Sequence, residues 1–212
     1  MDLNKIIFLM MLCVPMFVGA QTLTFTDHEP MGNMRTQVTR QFFRLVEQES
    51  KGRIRIDHHW NGELSSSYDA YETVREGTKA DMATVVPEYD SQRMPLHQLF
   101  KSFLAGPSGE AQVALIRKAY KTIPELTEEL HHAGIHPVLV ATGYPVGFYS
   151  REPMADLNAL KEQTWRTASF WHISYLENAG ATNKRIPWGE QVSDSLRSGI
   201  IDGIMVNIDS NR

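Results

Sequence analysis

The sequence predicts an α/β protein with mostly parallel sheets. Strand-like and helix-like stretches alternate along almost the whole chain, and the strand-like ones are short and rich in β-branched residues. No internal repeat or low-complexity tract breaks the rhythm.

Taken in order, Thr22 to Thr26 alternates as a strand does. Met34, Val38, Phe42 and Leu45 then recur at helical spacing until Lys51-Gly52 stops the pattern. Arg53 to His58 alternates again, a helix follows from about Tyr68 to Glu76, and Gly77 ends it. Asp81 to Val86 is apolar and β-branched enough for a buried strand. After the Pro- and Gly-broken stretch Pro95 to Gly109 come helices near Glu110 to Tyr120 and Pro124 to His132. Ile135 to Ala141 reads as the next strand, and Val146 to Tyr149 as another beyond the turn Gly143-Tyr144-Pro145. The remainder repeats the alternation: strand at Thr164 to Ala168, helix to Asn178, strand at Lys184 to Pro187, helix to Arg197, strand at Ile200 to Val206.

The N-terminus has a different character. Met1 to Ala20 combines a weakly positive start at Lys5, an apolar run from Ile6 to Val18, and small Val18 and Ala20 where a signal peptidase reads. We expect residues 1–20 to be a cleaved secretory signal, since the run is shorter than a spanning helix needs. The single cysteine, Cys13, lies inside it as apolar filler, preceded by bulky Leu12 rather than the small residue of a lipoprotein site. A mature chain without cysteine fits a bacterial periplasmic domain held by an ordinary core better than a small disulfide-stapled scaffold.

Composition narrows the function. The chain is 42% hydrophobic and 22% charged, with a net charge of −4 and its lysines and arginines scattered among acids. No basic patch or stacking motif points to nucleic acid. Motifs for enzymatic chemistry are also missing: there is no Gly-rich phosphate loop, nucleophile elbow or His-Glu-x-x-His, and the mature chain has no cysteine for zinc or thiol chemistry. No catalytic residue, cofactor or metal ligand is therefore assigned. The pairs His58-His59 and His131-His132 suggest a metal at first sight, but adjacent residues diverge on both strands and helices. Asp27-His28-Glu29 directly follows the first strand, where open α/β sheets place ligand groups; a plain polar loop explains it equally well.

Four stretches taken together resemble one family. "GRIRIDHHWNGEL" (Gly52 to Leu64), "YETVREGTKADMATVVPEY" (Tyr71 to Tyr89), "LNALKEQTWRTAS" (Leu157 to Ser169) and "IPWGEQVSDSLRSGIIDGI" (Ile186 to Ile204) look like the solute-binding subunit of tripartite ATP-independent periplasmic (TRAP) transporters, the DctP-like group. The resemblance implies a two-lobed periplasmic-binding-protein fold with a ligand cleft between the lobes. It also implies capture of a small organic acid and its delivery to the membrane permease subunits of a TRAP transporter. The lobes are expected at residues 21–141 and 142–206, with the crossover near Gly143-Tyr144-Pro145 and a return crossover beginning at 207–212.

The resemblance also supplies candidate ligand contacts. Arg166 matches an arginine that pairs with the substrate carboxylate, a task suited to a planar fork that stays charged when partly dried. Trp188, in Pro187-Trp188-Gly189-Glu190, matches an aromatic that covers the ligand's apolar body, while Glu190 reads as structural at the start of the next helix. Phe170 and Trp171 could line the cleft or pack a helix face on the sheet. His28 and Glu29 stand at the first strand end.

Departures from the family pattern qualify these assignments. A second arginine expected in the preceding strand is replaced near that place by Val146, and the usual amide falls one residue late, at Asn207, which on a strand is the opposite face. Asp27, Glu29, Glu88 and Asp209 would crowd a carboxylate site with negative charge, a conflict that a cation shared with the ligand, or an amino group on the ligand, would relieve. A sensor or adaptor built on the same fold, and a periplasmic hydrolase or lyase using His28 and Glu29, remain alternatives. Members of the resembled family usually continue about a hundred residues past the Asp-Gly motif, here Asp202-Gly203, in keeping with two full lobes. An incomplete chain with exposed apolar patches around the first lobe is the corresponding expectation.

Overall fold

The computed structural model describes residues 19–102, 106–141 and 146–207. The expected signal, Cys13, the turn Gly143-Tyr144-Pro145 and Asp209 lie outside the described residues, apart from Gly19 and Ala20. No helix among the described residues is long and apolar enough to cross a membrane.

The strands form two separate sheets. β1 (Gln21–Thr26) is central to the first, flanked by β2 (Ile54–His59) and β3 (Met82–Ala83), in the order β2-β1-β3 with both pairings parallel. The second has the order β4-β7-β5-β6, from β4 (Val146–Ser150), β5 (Thr164–Arg166), β6 (Thr182–Asn183) and β7 (Gly203–Asn207). Only β4 runs antiparallel to its neighbour. Helices α1 (Met34–Glu49), α2 (Ala70–Glu76), α3 (Gly109–Thr122) and α4 (Pro124–His132) accompany the first sheet, and α5 (Phe170–Asn178) and α6 (Glu190–Ser198) the second. The α/β class and the predominance of parallel pairing are as the sequence predicts.

Helix ends follow their capping residues. Asn33 caps α1, its side-chain oxygen accepting from the Thr36 N–H at 2.9 Å. Gly77 closes α2 in the left-handed conformation at φ 64°. The face of α1 is a correction, however. Thr36 and Phe43 are its buried residues, while Met34, Val38 and Leu45 of the apolar stripe are exposed. Phe43 sits edge-on to Phe25 of β1 at 4.8 Å, and this aromatic contact fixes which face meets the sheet.

Four strands also depart from expectation: of Asp81 to Val86 only Met82–Ala83 is strand, and both are half-buried rather than buried. Ile135 to Ala141 joins no described strand: Ile135 instead donates to Leu130 in the turn after α4, and Val138, Leu139 and Val140 are exposed. Pro137, which has no N–H to give, weakens any ladder there. Strand β6 lies at Thr182–Asn183 rather than Lys184 to Pro187, because the chain leaves the sheet after Lys184 and its Ile186 carbonyl accepts instead from Arg166. Strand β7 starts at Gly203, since Ile200 and Ile201 are used in closing the end of α6 on the Ser195 carbonyl.

The second sheet buries both faces. On one, Trp165 and Met205 pack with Leu160, Leu176 of α5 and Ala181; on the other, Ile204 and Val206 pack with Ile186, Ile201 and Val192 of α6. The two strands approach closely at Gly203, where an added Cβ would fall 2.6 Å from the Trp165 ring. Tyr71, Met94, Leu130 and Ala133 form a third cluster. Nearby, Leu96, Leu99, Phe100, Ala119, Ile123 and Leu126 line an apolar groove of about 360 Å³, and Leu96, Leu99, Phe100 and Ile123 are exposed there.

Candidate functional site

Parallel strands bring their C-terminal ends to the same edge of a sheet, and side chains that follow those ends meet there. His28 follows β1 and Arg166 ends β5. The alternation of the second sheet turns Trp165 into the α5-side core and so turns Arg166 to the opposite face, beside Ile186 and Ile204.

Arg166 is 2% exposed. Its Nε donates to the Ile186 carbonyl at 2.9 Å, and its Nη2 to the Tyr89 hydroxyl at 3.1 Å. The guanidinium carbon lies 5.3 Å from the Trp188 ring centre and 5.8 Å from that of Tyr89, distances at which ring quadrupoles attract a cation. Among the described residues no carboxylate lies within ion-pair distance of it. All its partners are uncharged, an unusual state for a buried charge.

His28 approaches Tyr89 from the other side, ring centres 6.0 Å apart. The imidazole is buried, and its Nδ1 has no hydrogen-bond partner among the described residues; an acidic oxygen of Asp27 is 3.7 Å away. Burial pushes its pKa down to about 4, against the pull of Asp27 and aided by Arg35 and Arg166, so the ring is neutral at physiological pH.

The described acidic residues at the strand ends, Asp27, Glu29 and Glu88, lie beside two cations of the chain itself, Arg35 and Lys101. Asp27 accepts two parallel bonds from Arg35 at 2.7 and 2.9 Å, a third from Thr84 and a fourth from the Glu29 N–H. Glu29 lies 3.6 Å from the same Arg35 and accepts from Asn33. Glu88 pairs with Lys101 at 2.9 Å. The sequence offers no sign of these pairs, because Arg35 is in the first turn of a helix and Lys101 lies in the stretch after Pro95.

The remaining candidates divide. Trp188 joins Arg166, and its backbone N–H donates to Ser67 at 3.1 Å. Asn207 sits in register position with Val146, on the face shared with Met205 rather than that of Arg166, and accepts from Lys101 at 3.1 Å. Phe170 is half exposed and edge-on to Trp171, whose indole N–H donates to the Gln98 carbonyl. Glu190 is exposed in the first turn of α6, whose cap is Gly189. Tyr89, Ser67 and Tyr68 are additions that the sequence does not reveal. Tyr68 stands edge-on to Tyr89 at 4.6 Å, and the guanidinium of exposed Arg185 lies 4.0 Å above its ring.

Two short 3-10 helices carry the bridging residues from the first sheet to the second. Pro87–Asp90 holds Glu88 and Tyr89, and Leu96–Lys101 holds Gln98 and Lys101. The latter is anchored by Glu129, which accepts from the Leu96 N–H and lies 2.5 Å from His97, whose other nitrogen meets Tyr120 at 2.7 Å.

Known proteins agree with this architecture. Residues 25–210 match the family model of the bacterial extracellular solute-binding proteins, family 7 (DctP). The chain belongs to this family. Among solved structures similar to the family 7 chain is an extracytoplasmic solute receptor of Bordetella pertussis binding pyroglutamic acid, 25% identical with a TM-score of 0.78, covering 90% of this chain and 62% of that one. A TRAP periplasmic solute-binding protein of Desulfovibrio salexigens, in complex with diglycerolphosphate, is 19% identical with a TM-score of 0.77 over 91% and 61%. One from Ochrobacterium anthropi with bound L-fuconate is 23% identical with a TM-score of 0.75 over 91% and 63%. The chain thus spans about three fifths of the length of these structures. No curated protein matches it. The fold is that of the two-lobed periplasmic binding proteins.

Proposed function

We propose that this chain captures a small organic acid between its two sheets, by the ligand's carboxylate, and that the captured acid passes to the permease subunits of a TRAP transporter. The observation that carries the proposal is Arg166: a buried guanidinium that donates only to uncharged oxygens and lies against two aromatic rings. A carboxylate arriving there supplies the missing counter-charge, and a forked cation binds it with geometry as well as charge. Trp188 and Tyr89 keep the pair dry, which strengthens it.

Trp188, His28 and Tyr89 share the ligand with Arg166, and Asn207, Glu29 and Phe170 stand farther out in this proposal. The sheets correspond to lobes 21–141 and 142–206, and bonds such as Arg166 to Tyr89 and Trp188 to Ser67 are the contacts that open and close with ligand. Family relatives that bind pyroglutamic acid and L-fuconate support an organic acid as the cargo class. A cleaved signal would place the protein in the periplasm.

A thermal-shift screen of carboxylates, keto acids, sugar acids and amino acids, with and without calcium, tests the proposal. One group of acids should raise the melting temperature without being consumed, because a ligand bound only by the native state stabilises it. Consumption of the acid would favour an enzyme, and failure of every acid to stabilise the protein would remove the carboxylate assignment.

A further inference from the structure

The adjacent histidines that end α4 diverge, and the fold gives one of them a different partner. His132 lines an open cavity with Glu125, Glu128 and Glu129, whereas His131 meets His136, five residues on. His131 Nε2 and His136 Nδ1 lie 2.9 Å apart, the ring centres 4.8 Å apart and the planes within 7° of parallel. Both side chains are exposed. The turn between them is held from several sides. Gly134 ends the helix in the left-handed conformation at φ 78°; its N–H donates to the His131 carbonyl and that of Ile135 to the Leu130 carbonyl. This pair of bonds is the glycine-led helix stop that turns the chain back beside the last helical turn. The Tyr71 hydroxyl donates to the carbonyl of buried Ala133, and Ile135 packs against the cluster of Tyr71, Met94 and Leu130. The two imidazoles therefore stand on backbone that is already fixed, and an ion bound by both has little chain to order.

Two neutral imidazoles that face each other share one proton: one nitrogen donates and the other accepts. A divalent metal ion takes the place of that proton and binds both nitrogens, releasing the proton to solvent. With metal–nitrogen bonds of about 2.0–2.1 Å, two ligands at a right angle stand about 2.9 Å apart, and two at the tetrahedral angle about 3.3 Å apart. The separation of His131 and His136 is that of the right-angled pair, the arrangement of tetragonal copper(II) and nickel(II). We propose that His131 and His136 form a two-histidine site for copper(II) or nickel(II), whose remaining positions are filled by water or by a donor from another molecule. Among the described residues no third His, Cys, Asp or Glu completes the set. The site stands apart from Arg166 and does not depend on the carboxylate reading.

Titration calorimetry of the untagged full chain with copper(II) and with nickel(II), near neutral pH, tests the proposal. His131→Gln and His136→Gln should each weaken binding by about tenfold or more, because the second nitrogen of a chelate binds as an intramolecular step. His132→Gln should stay within about threefold of the unaltered protein, and so should His59→Gln, which removes a histidine lying between Asp57 and Glu63. Nickel(II) should raise the melting temperature of the unaltered protein but not that of the double variant, since an ion bound only by the native state stabilises it. The paramagnetic resonance spectrum of the copper-loaded protein should carry nitrogen couplings that diminish in either single variant. Affinity for both metals within about threefold of the unaltered protein in folded His131→Gln or His136→Gln overturns the proposal. Loss of binding in His59→Gln with retention in His131→Gln overturns it too, and moves the metal to His59. Absence of binding by either metal, or a copper spectrum of the unaltered protein without nitrogen coupling, overturns it whatever the variants do.

Discussion

The Tyr89 hydroxyl accepts a hydrogen bond from Nη2 of Arg166 at 3.1 Å, joining the short helix after β3 to the end of β5 across a separation of 77 residues. Tyr89→Phe keeps the ring beside the guanidinium but removes the acceptor. A hydrogen bond to a charged group contributes more than a neutral one, so this change should lower stability by about 1.5 kcal/mol in urea denaturation. An unchanged midpoint would mean that the bond contributes little.

Asp27 is buried and accepts four hydrogen bonds, two from Arg35. Asp27→Asn leaves Arg35 without its counter-charge and offers an amide where donors converge. Breaking a buried pair on one side costs roughly 3–5 kcal/mol, a loss visible in chemical denaturation. The double change Asp27→Asn with Arg35→Met should recover part of it.

Burial holds both His28 and His172 at a pKa of about 4, against 6.5 for the free side chain. As pH falls through 6.5 the unfolded chain binds a proton at each position before the folded chain does, so the native state loses stability from pH 6.5 down to about 4. Above 6.5 the stability tied to these two groups is fully present. The loss is at most about 3 kcal/mol for each histidine. Denaturation curves at several pH values should show the decline, and His28→Asn should remove about one proton from its slope.

At Gly203 the Cβ of any other residue would meet three atoms of the buried Trp165 ring at 2.6 to 2.8 Å. A ring locked in the core cannot yield as a flexible chain end does. Gly203→Ala should therefore destabilise the protein by about 1–3 kcal/mol, read as a lower melting temperature. Leu160→Ala, at a fully buried position in the same cluster, should cost roughly 2–5 kcal/mol by leaving a cavity.

The alternation of helix and strand was enough to reveal the α/β class, because period and turn residues are local properties. The irregular course of Ile135 to Ala141 had one sign in the sequence, Pro137, but strand composition says nothing about whether a partner edge is in reach. The buried face of α1 was misleading for a related reason: Phe43, not the longer stripe of Met34, Val38 and Leu45, meets Phe25. For the site, Arg166 and Trp188 were legible through their place in family-like segments, and His28 through its position after a strand. Tyr89 and Ser67 were not, because a residue that bridges two sheets leaves no periodic mark. Asn207 lies one position from the usual amide and faces Lys101 accordingly. The apparent excess of acid at the strand ends shrinks once Arg35 is brought beside Asp27 and Glu29 and Lys101 beside Glu88, pairings visible only in three dimensions.

The most direct measurement is the affinity of Arg166 variants for the tightest acid found in the screen. Replacing the fork by a point charge in Arg166→Lys should weaken binding by one to two powers of ten, roughly 1.4 to 3 kcal/mol, and Arg166→Ala should weaken it further. Circular dichroism and the melting curve would establish that each variant is folded. If folded Arg166→Ala binds that acid as tightly as the unaltered protein, the guanidinium is not the carboxylate anchor and the account is wrong.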